Sequence, residues 1–238
     1  MHKHGCEHVW PSELFTVFTA IKKAFLGFYG RLMRIKVFGQ EFFSELRRNC
    51  IVVANHVTGA DSIILQIALR RRLFMLAARK WFEGRFIGFF MTFFCEMVPV
   101  ALEKGARNLL GIKRSLALLK NRQSLAVYPS GRMNRDDCMQ EINDGAAYLS
   151  IKSGAPIVPV YLKNLAYGPE PGSRPWITET WEGLGSVAHN IFNRKIEVYI
   201  APPIYPRKEV VDRKEEIKRL NAEIRRAFDE LRQKASVN

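Results

Sequence analysis

The fold is decided by Cys50-Ile51-Val52-Val53-Ala54, an apolar run followed directly by Asn55-His56-Val57-Thr58-Gly59-Ala60-Asp61-Ser62. The apolar run is short and rich in β-branched residues, which predicts a buried strand. In an open α/β sheet, ligands and catalytic groups collect in the loops at the carboxyl ends of the strands. The loop after this strand supplies a histidine and, five residues later, a carboxylate.

The pair His56 and Asp61 has the composition of a general-base site. A turn through Gly59 lets Asp61 fold back toward the imidazole, where its carboxylate would hold one ring N–H and fix the tautomer. The other ring nitrogen is then free to take a proton from a substrate hydroxyl. The spacing alone is a weak motif, and a helix-capping Asp61 beside a polar loop histidine is the plain structural alternative.

Strand and helix signals alternate along the chain. They predict an α/β fold: a single domain with a largely parallel sheet flanked by helices. Residues 168–185 are rich in Gly, Pro and Trp and predict a long surface loop. The predicted strands are residues 50–54, 73–78, 97–102, 124–128, 156–162 and 196–200. The predicted helices are residues 12–36, 62–72, 81–94, 105–120 and 144–152, with a C-terminal helix after Pro206.

Residues 12–36 predict an N-terminal amphipathic helix, between a disordered segment at 1–11 and a catalytic domain at 37–238. A basic, aromatic helix of this kind is typical of a membrane surface, although packing on the domain core explains the pattern equally well. Its apolar stripe is Leu14, Phe18, Ile21, Phe25, Phe28 and Leu32, widened by Phe15, Leu26, Tyr29 and Met33. Lys22, Lys23, Arg31 and Arg34 fall away from the centre of the stripe.

The formal charge of +14 and the pI near 9.9 predict an anionic partner: nucleic acid, an anionic membrane surface or a phosphorylated substrate. The longest stretch without Asp, Glu, Lys or Arg, residues 49–60, has only 12 residues, too few for a spanning helix. We expect no signal peptide, because the N-terminus lacks a continuous apolar stretch. Four scattered cysteines favour a reducing, cytoplasm-facing compartment. A basic nucleic-acid-binding protein is the alternative, but no nucleic-acid-binding motif accompanies the charge, so no nucleic-acid partner is expected.

Five segments, in order, resemble the motifs of the glycerolipid acyltransferases typified by 1-acylglycerol-3-phosphate acyltransferase. Asn55-His56-x-x-x-x-Asp61 resembles their first motif. Val127-Tyr128-Pro129-Ser130-Gly131-Arg132 resembles their Phe-Pro-Glu-Gly motif. Residues 97–100 match the strand of the second motif, 144–147 a small-residue helix, and 154–160 the last motif.

This resemblance implies acyl transfer from acyl-CoA or acyl-carrier protein to a hydroxyl of a lyso-glycerophospholipid, with 1-acylglycerol 3-phosphate as the expected acceptor. His56 would be the general base and Asp61 would orient it. The reaction needs no cofactor, no metal and no covalent enzyme intermediate. The backbone at Ser130 and Gly131 is the candidate oxyanion site. The candidate phosphate-binding cations are Arg132, Lys104 and Arg107.

The main departure from the family pattern is Ser130, which stands where the family has glutamate. This change removes a charge from the acceptor site, so glycerol 3-phosphate or another lyso-lipid stays open as the acceptor, as does a catalytically inactive relative. The basic run at residues 70–85 suits anionic headgroups, an acidic carrier protein or a solvated face. The aromatic segment at 86–94 suits an acyl channel, a bilayer contact or a core helix. We expect a peripheral, monotopic protein at the cytoplasmic face of an anionic membrane.

Overall fold

The computed structural model describes residues 12–46, 48–78, 85–93, 95–100, 108–131, 133, 142–168, 173–175, 178–193, 195–209 and 211–237. The strands of this part are β1 (Lys36–Phe38), β2 (Ile51–Ala54), β3 (Leu73–Ala78), β4 (Met97–Val100), β5 (Ser124–Val127), β6 (Ile157–Lys163) and β7 (Glu197–Ile200). The helices are α1 (Ser12–Met33), α2 (Gln40–Ser44), α3 (Asp61–Leu69), α4 (Arg85–Phe93), α5 (Asn108–Lys120), α6 (Gly145–Ser153), α7 (Glu179–Asn193) and α8 (Arg213–Val237).

The strands form one sheet in the order β1-β7-β6-β2-β5-β3-β4. The five strands from β6 to β4 are mutually parallel, while β7 runs antiparallel to β6 and pairs in parallel with β1. The predicted α/β fold with a largely parallel sheet is therefore confirmed. Strand β1 has no counterpart among the predicted strands.

Alternate residues of β2 supply two separate cores, one on each face of the sheet. Val52 and Ala54 join the core covered by α1 and α3, against which α7 also packs. Ile51 and Val53 join the core covered by α5, α6 and α8. We call the group α1, α3 and α7 the α7 layer, and the group α5, α6 and α8 the α8 layer.

Helix α1 ends at Met33, three residues before the predicted boundary at 36. The helix stops because Arg34 adopts a left-handed conformation, with φ of 48°, and Lys36 already belongs to β1. The buried face of α1 follows the edge of the predicted stripe and not its centre. Tyr29 and Met33 are buried, whereas Ile21 and Phe28 are exposed.

Lys22 was expected to point away from the apolar stripe, and it is buried instead. Its ammonium group donates to Glu96, which also accepts a hydrogen bond from Arg72 at 2.8 Å. Burial lowers the pKa of Lys22, and the Glu96 carboxylate acts in the opposite direction. The ion pair joins α1 to the start of β4, so α1 is fastened to the domain by a charge as well as by apolar contacts.

The surface loop predicted at residues 168–185 is wrong in its second half, because α7 begins at Glu179. The glycines that predict a turn are used for close packing. A Cβ atom added to Gly168 would lie 2.1 Å from the carbonyl oxygen of Glu182, so only glycine lets this segment reach the helix. Within the described residues, no helix is both long and apolar enough to cross a membrane.

Candidate active site

The loop between β2 and α3 is fixed to the neighbouring strand at its first residue. The buried side chain of Asn55 donates to the carbonyl of Leu162 at 2.9 Å and accepts from the N–H of the same residue at 2.8 Å. The side chain thus extends the pairing of β2 and β6 by one step beyond the end of β2. This anchor fixes where the next residue, His56, leaves the sheet.

His56 and Asp61 meet, as their spacing predicts. The His56 Nδ1 atom lies 2.8 Å from the Asp61 Oδ2 atom. Asp61 is fully buried and also accepts from the N–H of Val57 at 2.7 Å and the N–H of Thr58 at 3.1 Å. These donors belong to the loop that precedes α3, so the carboxylate folds back onto the loop and not forward onto the helix. Simple helix capping does not describe this arrangement.

The geometry assigns different tasks to the two ring nitrogens of His56. A carboxylate surrounded by N–H groups is a hydrogen-bond acceptor. The Nδ1 atom of His56 therefore carries the ring proton and donates a hydrogen bond to Asp61. The Nε2 atom then has a lone pair to accept a proton. The His56 side chain keeps about a quarter of its surface exposed, against 1% for Asp61. A substrate hydroxyl can therefore approach the imidazole while its partner stays buried.

Tyr128 belongs to the motif that resembles Phe-Pro-Glu-Gly, but the sequence comparison assigns it no role in the site. Its ring stacks on the imidazole of His56, with centroids 4.1 Å apart and ring planes 15° from parallel. The Tyr128 hydroxyl lies 3.8 Å from the sulfur of Met75. Burial raises the pKa of this hydroxyl well above its usual range, and the negative charge of Asp61 acts in the same direction. The ring is held in place on one side of His56.

The turn after β5 lies beside the His56 loop because β5 and β2 are adjacent and parallel. In this turn the Gly131 N–H donates to the Tyr128 carbonyl at 3.0 Å, and Gly131 has a positive φ of 67°. The Asn143 side chain donates to the Pro129 carbonyl at 2.7 Å and braces the turn. The structure thus places the turn with Ser130 and Gly131 beside the His56 loop. The three candidate cations, Lys104, Arg107 and Arg132, lie outside the described residues.

Comparison with known proteins agrees with this arrangement. A model of the acyltransferase family matches residues 34–163, more than half of the chain. The chain belongs to the acyltransferase family. The match includes the His56 loop and the turn at Ser130 and Gly131. The resemblance drawn from the motifs is therefore confirmed, and the protein is an acyltransferase.

A solved structure extends this likeness beyond the family match. The acyltransferase has a fold similar to that of PlsC, the 1-acyl-sn-glycerophosphate (LPA) acyltransferase from Thermotoga maritima, with a TM-score of 0.61. Sequence identity is 19%, and the alignment covers 93% of this chain and 84% of that chain. At this identity the likeness concerns the fold.

Helix α7 lies outside the family match and covers the His56 loop of this acyltransferase. The backbones meet at two glycines: a Cβ atom added to Gly59 would lie 2.5 Å from the Cα atom of Gly183. The neighbouring Glu182 is buried and accepts a hydrogen bond from the Ser186 hydroxyl at 2.8 Å. Sequence reasoning missed this contact because residues 168–185 were predicted to be a loop.

Two arginines of the basic run at 70–85 have structural roles. Arg71 donates to the carbonyls of Arg48 and Leu46 and lies over the ring of Phe43. Arg72 is paired with Glu96, as described above. These side chains fasten the domain internally, and the role of the basic run at a lipid or carrier-protein surface stays a prediction. Across the described part of the chain, no three His, Cys, Asp or Glu side chains cluster closely enough to hold a metal ion.

Proposed function

We propose that this acyltransferase moves a fatty acyl group from acyl-CoA or acyl-carrier protein to a hydroxyl of a lyso-glycerophospholipid, with 1-acylglycerol 3-phosphate as the first candidate acceptor. The observation that carries the proposal is the His56–Asp61 hydrogen bond at the carboxyl end of β2. The structurally similar PlsC from Thermotoga maritima is a 1-acyl-sn-glycerophosphate acyltransferase, which supports the choice of acceptor.

In the proposed reaction, Nε2 of His56 removes the proton of the acceptor hydroxyl as its oxygen attacks the thioester carbonyl carbon. Asp61 stabilises the imidazolium that forms and keeps the ring in position. The tetrahedral intermediate then collapses, and the carbon–sulfur bond breaks. The thiolate leaves with the proton returned by His56, so the products are an ester and a free thiol. Tyr128 stacks on the ring and limits its rotation.

Backbone N–H groups near Ser130 are our candidates for stabilising the oxyanion of the tetrahedral intermediate. The phosphate of the acceptor would pair with Arg132, Lys104 or Arg107. Ser130 is uncharged where related enzymes carry glutamate, which admits glycerol 3-phosphate or another lyso-lipid as an alternative acceptor. An acceptor panel is therefore the deciding experiment for the substrate.

We also propose that the enzyme works at the cytoplasmic face of an anionic membrane, attached by α1. The exposed Ile21 and Phe28 of this helix would enter the headgroup region. The exposed Lys23 and Arg31 lie on the same helix and suit anionic lipids. The Cys50 and Cys95 thiols are buried and free, which is compatible with a reducing compartment.

The proposal is tested by incubating purified enzyme with labelled acyl-CoA or acyl-carrier protein and a panel of acceptors. We expect an esterified product from 1-acylglycerol 3-phosphate, at a rate that rises when the acceptor is presented in vesicles. If transfer to glycerol 3-phosphate or to a lyso-lipid without phosphate is faster, that molecule replaces 1-acylglycerol 3-phosphate as the proposed acceptor. No transfer to any of these acceptors, together with salt-sensitive binding of nucleic acid, would contradict the proposal.

A further inference from the structure

An ordinary surface helix buries apolar side chains and exposes polar ones, and α7 shows the opposite pattern. Its fully buried positions are the polar residues Glu182, Ser186 and Asn190, spaced four apart. An exposed apolar stripe runs along its other side at spacings of three and four residues. The stripe consists of Trp181 (53% exposed), Leu184 (44%), Ala188 and Phe192 (79%).

The buried polar residues attach α7 to the segment that follows β6. The Asn190 side chain accepts from the N–H of Ala166 and donates to the carbonyl of the same residue, both at 2.9 Å. The Ser186 hydroxyl accepts from the N–H of Gly168 at 2.8 Å and donates to Glu182. Partly buried Val187 and Ile191 complete the contact with the core. Within the part of the chain that the structure describes, the core contacts of α7 therefore come from the side opposite to the apolar stripe.

Helix α7 lies beside α1, which carries exposed apolar residues of its own. The two helices are neighbours in the α7 layer, and the Tyr29 hydroxyl of α1 donates to the Val187 carbonyl of α7. Both helices cover the same face of the sheet, so their outer faces point away from it on the same side. Ile21 and Phe28 of α1 are exposed apolar residues of the same layer.

The charge around this surface is positive. The described side chains of α1 include no carboxylate, and the exposed Lys23 and Arg31 lie on this helix. Lys195 is exposed just beyond α7, whose described exposed positions likewise include no carboxylate. An apolar surface edged with cations is complementary to an anionic bilayer. A second copy of this chain would bring the same positive charges and be repelled.

We propose that α7 is a membrane-contact helix, with the stripe Trp181, Leu184, Ala188 and Phe192 lying in the headgroup region of an anionic bilayer beside α1. This contact goes beyond the α1 attachment proposed above. Its consequence for the reaction rests on the proposed function. Gly183 of α7 touches Gly59 of the catalytic loop, so about one helix diameter, roughly 10 Å, separates that loop from the lipid. An acceptor embedded in the bilayer would then reach His56 from the membrane surface.

The test compares two matched substitutions, Leu184→Glu on α7 and Leu110→Glu on α5. Leu110 is a leucine of similar exposure (51%) on a helix of the opposite layer, and both changes lower the net charge equally. Binding to vesicles of phosphatidylcholine with a quarter phosphatidylglycerol is measured by co-sedimentation. We expect Leu184→Glu to lower the partition coefficient about tenfold or more, and Leu110→Glu to change it less than about threefold. Circular dichroism checks that both variants are folded.

Equal binding by the two variants would overturn the proposal. Sedimentation velocity without lipid adds a second criterion: a wild-type dimer that Leu184→Glu converts to a monomer would assign the stripe to self-association and also overturn it. Quenching of Trp181 fluorescence by brominated lipid would support the membrane contact. The Trp181→Phe variant is the control, because it shows the signal of the other tryptophans alone. A protein that binds vesicles through α7 but transfers no acyl group would leave this inference standing and contradict the proposed function.

Discussion

Helices α7 and α8 cover opposite faces of one sheet, and their patterns are opposite. Helix α8 buries an apolar stripe and directs charged side chains to the solvent, as expected for a helix in water. Helix α7 buries polar side chains and exposes an apolar stripe. Under the membrane-contact proposal, the α8 layer faces water and the α7 layer faces the bilayer. The buried stripe of α8 is Leu220, Ile224, Phe228, Leu231 and Ala235.

Each of these helices also buries one glutamate, and the two glutamates are held differently. Glu216 of α8 accepts from Arg219 at 2.6 and 2.8 Å and from the Arg207 N–H at 2.9 Å. Glu182 of α7 accepts from the Ser186 hydroxyl, and the described residues supply no donor to its Oε2 atom. Both carboxylate oxygens of Glu216 thus accept hydrogen bonds, and the residue joins α8 to the segment that precedes it. The α7 glutamate lies against the His56 loop near Gly59.

The largest stability effect is expected in the core under α8. Leu220→Ala removes a fully buried side chain and leaves a cavity, so we expect the free energy of unfolding to fall by about 2–5 kcal/mol. Urea denaturation measures this change. Val211→Ala, at a fully exposed position before α8, is the control and should change stability by less than about 0.5 kcal/mol.

Glu216 should make the α8 layer sensitive to acid. Its arginine partners lower its pKa from 4.5 to about 2 in the folded protein. The resulting stabilisation is present above pH 4.5 and is lost as the pH falls toward 2. Its contribution to the free energy of unfolding is at most about 3 kcal/mol. Glu216→Gln should therefore lower the free energy of unfolding at pH 7 and flatten its decline between pH 4.5 and 2. The exposed neighbour provides the control, Glu215→Gln, and an equal response in both variants would contradict the assignment.

Gly59→Ala tests the contact between α7 and the catalytic loop. The new Cβ atom would lie 2.5 Å from the Gly183 Cα atom, so the loop or the helix must move. We expect a stability loss of about 1–3 kcal/mol and a fall in acyl-transfer rate of roughly tenfold to a hundredfold. The control in the α8 layer is Gly145→Ala, where a Cβ atom meets nothing within 4 Å. Unchanged kinetics in Gly59→Ala would show that α7 does not constrain the loop.

The smallest effect is expected on the outer face of α7. Leu184→Ala should change the free energy of unfolding by less than about 0.5 kcal/mol, because the side chain is exposed and supports no core contact. The free energies of unfolding of Leu184→Ala and Leu220→Ala are compared by thermal and urea denaturation in the absence of lipid. A loss comparable to that of Leu220→Ala would mean that the stripe is a part of the folded core, and the contrast between the two helices would fail.

Sequence patterns predict the central strands well, because buried parallel strands are continuous apolar runs such as residues 51–54 and 157–162. Strand β1 escapes prediction since it has three residues, and its pairing with Glu197–Ile200 depends on a distant part of the chain. Helix α7 escapes because Gly183 and Gly185 resemble turn signals. The four-residue spacing of Glu182, Ser186 and Asn190 is the pattern that indicates a helix.

The contact between His56 and Asp61 is predictable because both residues lie in one short loop after a recognisable strand. The contacts that hold this loop could not be predicted from the sequence. Asn55 contacts Leu162, and Tyr128 contacts His56, because the order of strands in the sheet brings them together. The buried Lys22 illustrates the same limit. Its partner Glu96 belongs to a different element, so helical periodicity alone places the lysine on the wrong face.

The most direct test of the account is the acyl-transfer rate of His56→Ala with acyl-CoA and 1-acylglycerol 3-phosphate. The control is His189→Ala, which removes an exposed histidine of α7 that contacts the Tyr167 carbonyl. We predict that His56→Ala remains folded by circular dichroism and loses at least about a hundredfold in rate, because a general base contributes roughly that much or more. His189→Ala should stay within about threefold of the wild type. A His56→Ala enzyme that keeps its rate within a few-fold of the wild type would contradict the proposed mechanism.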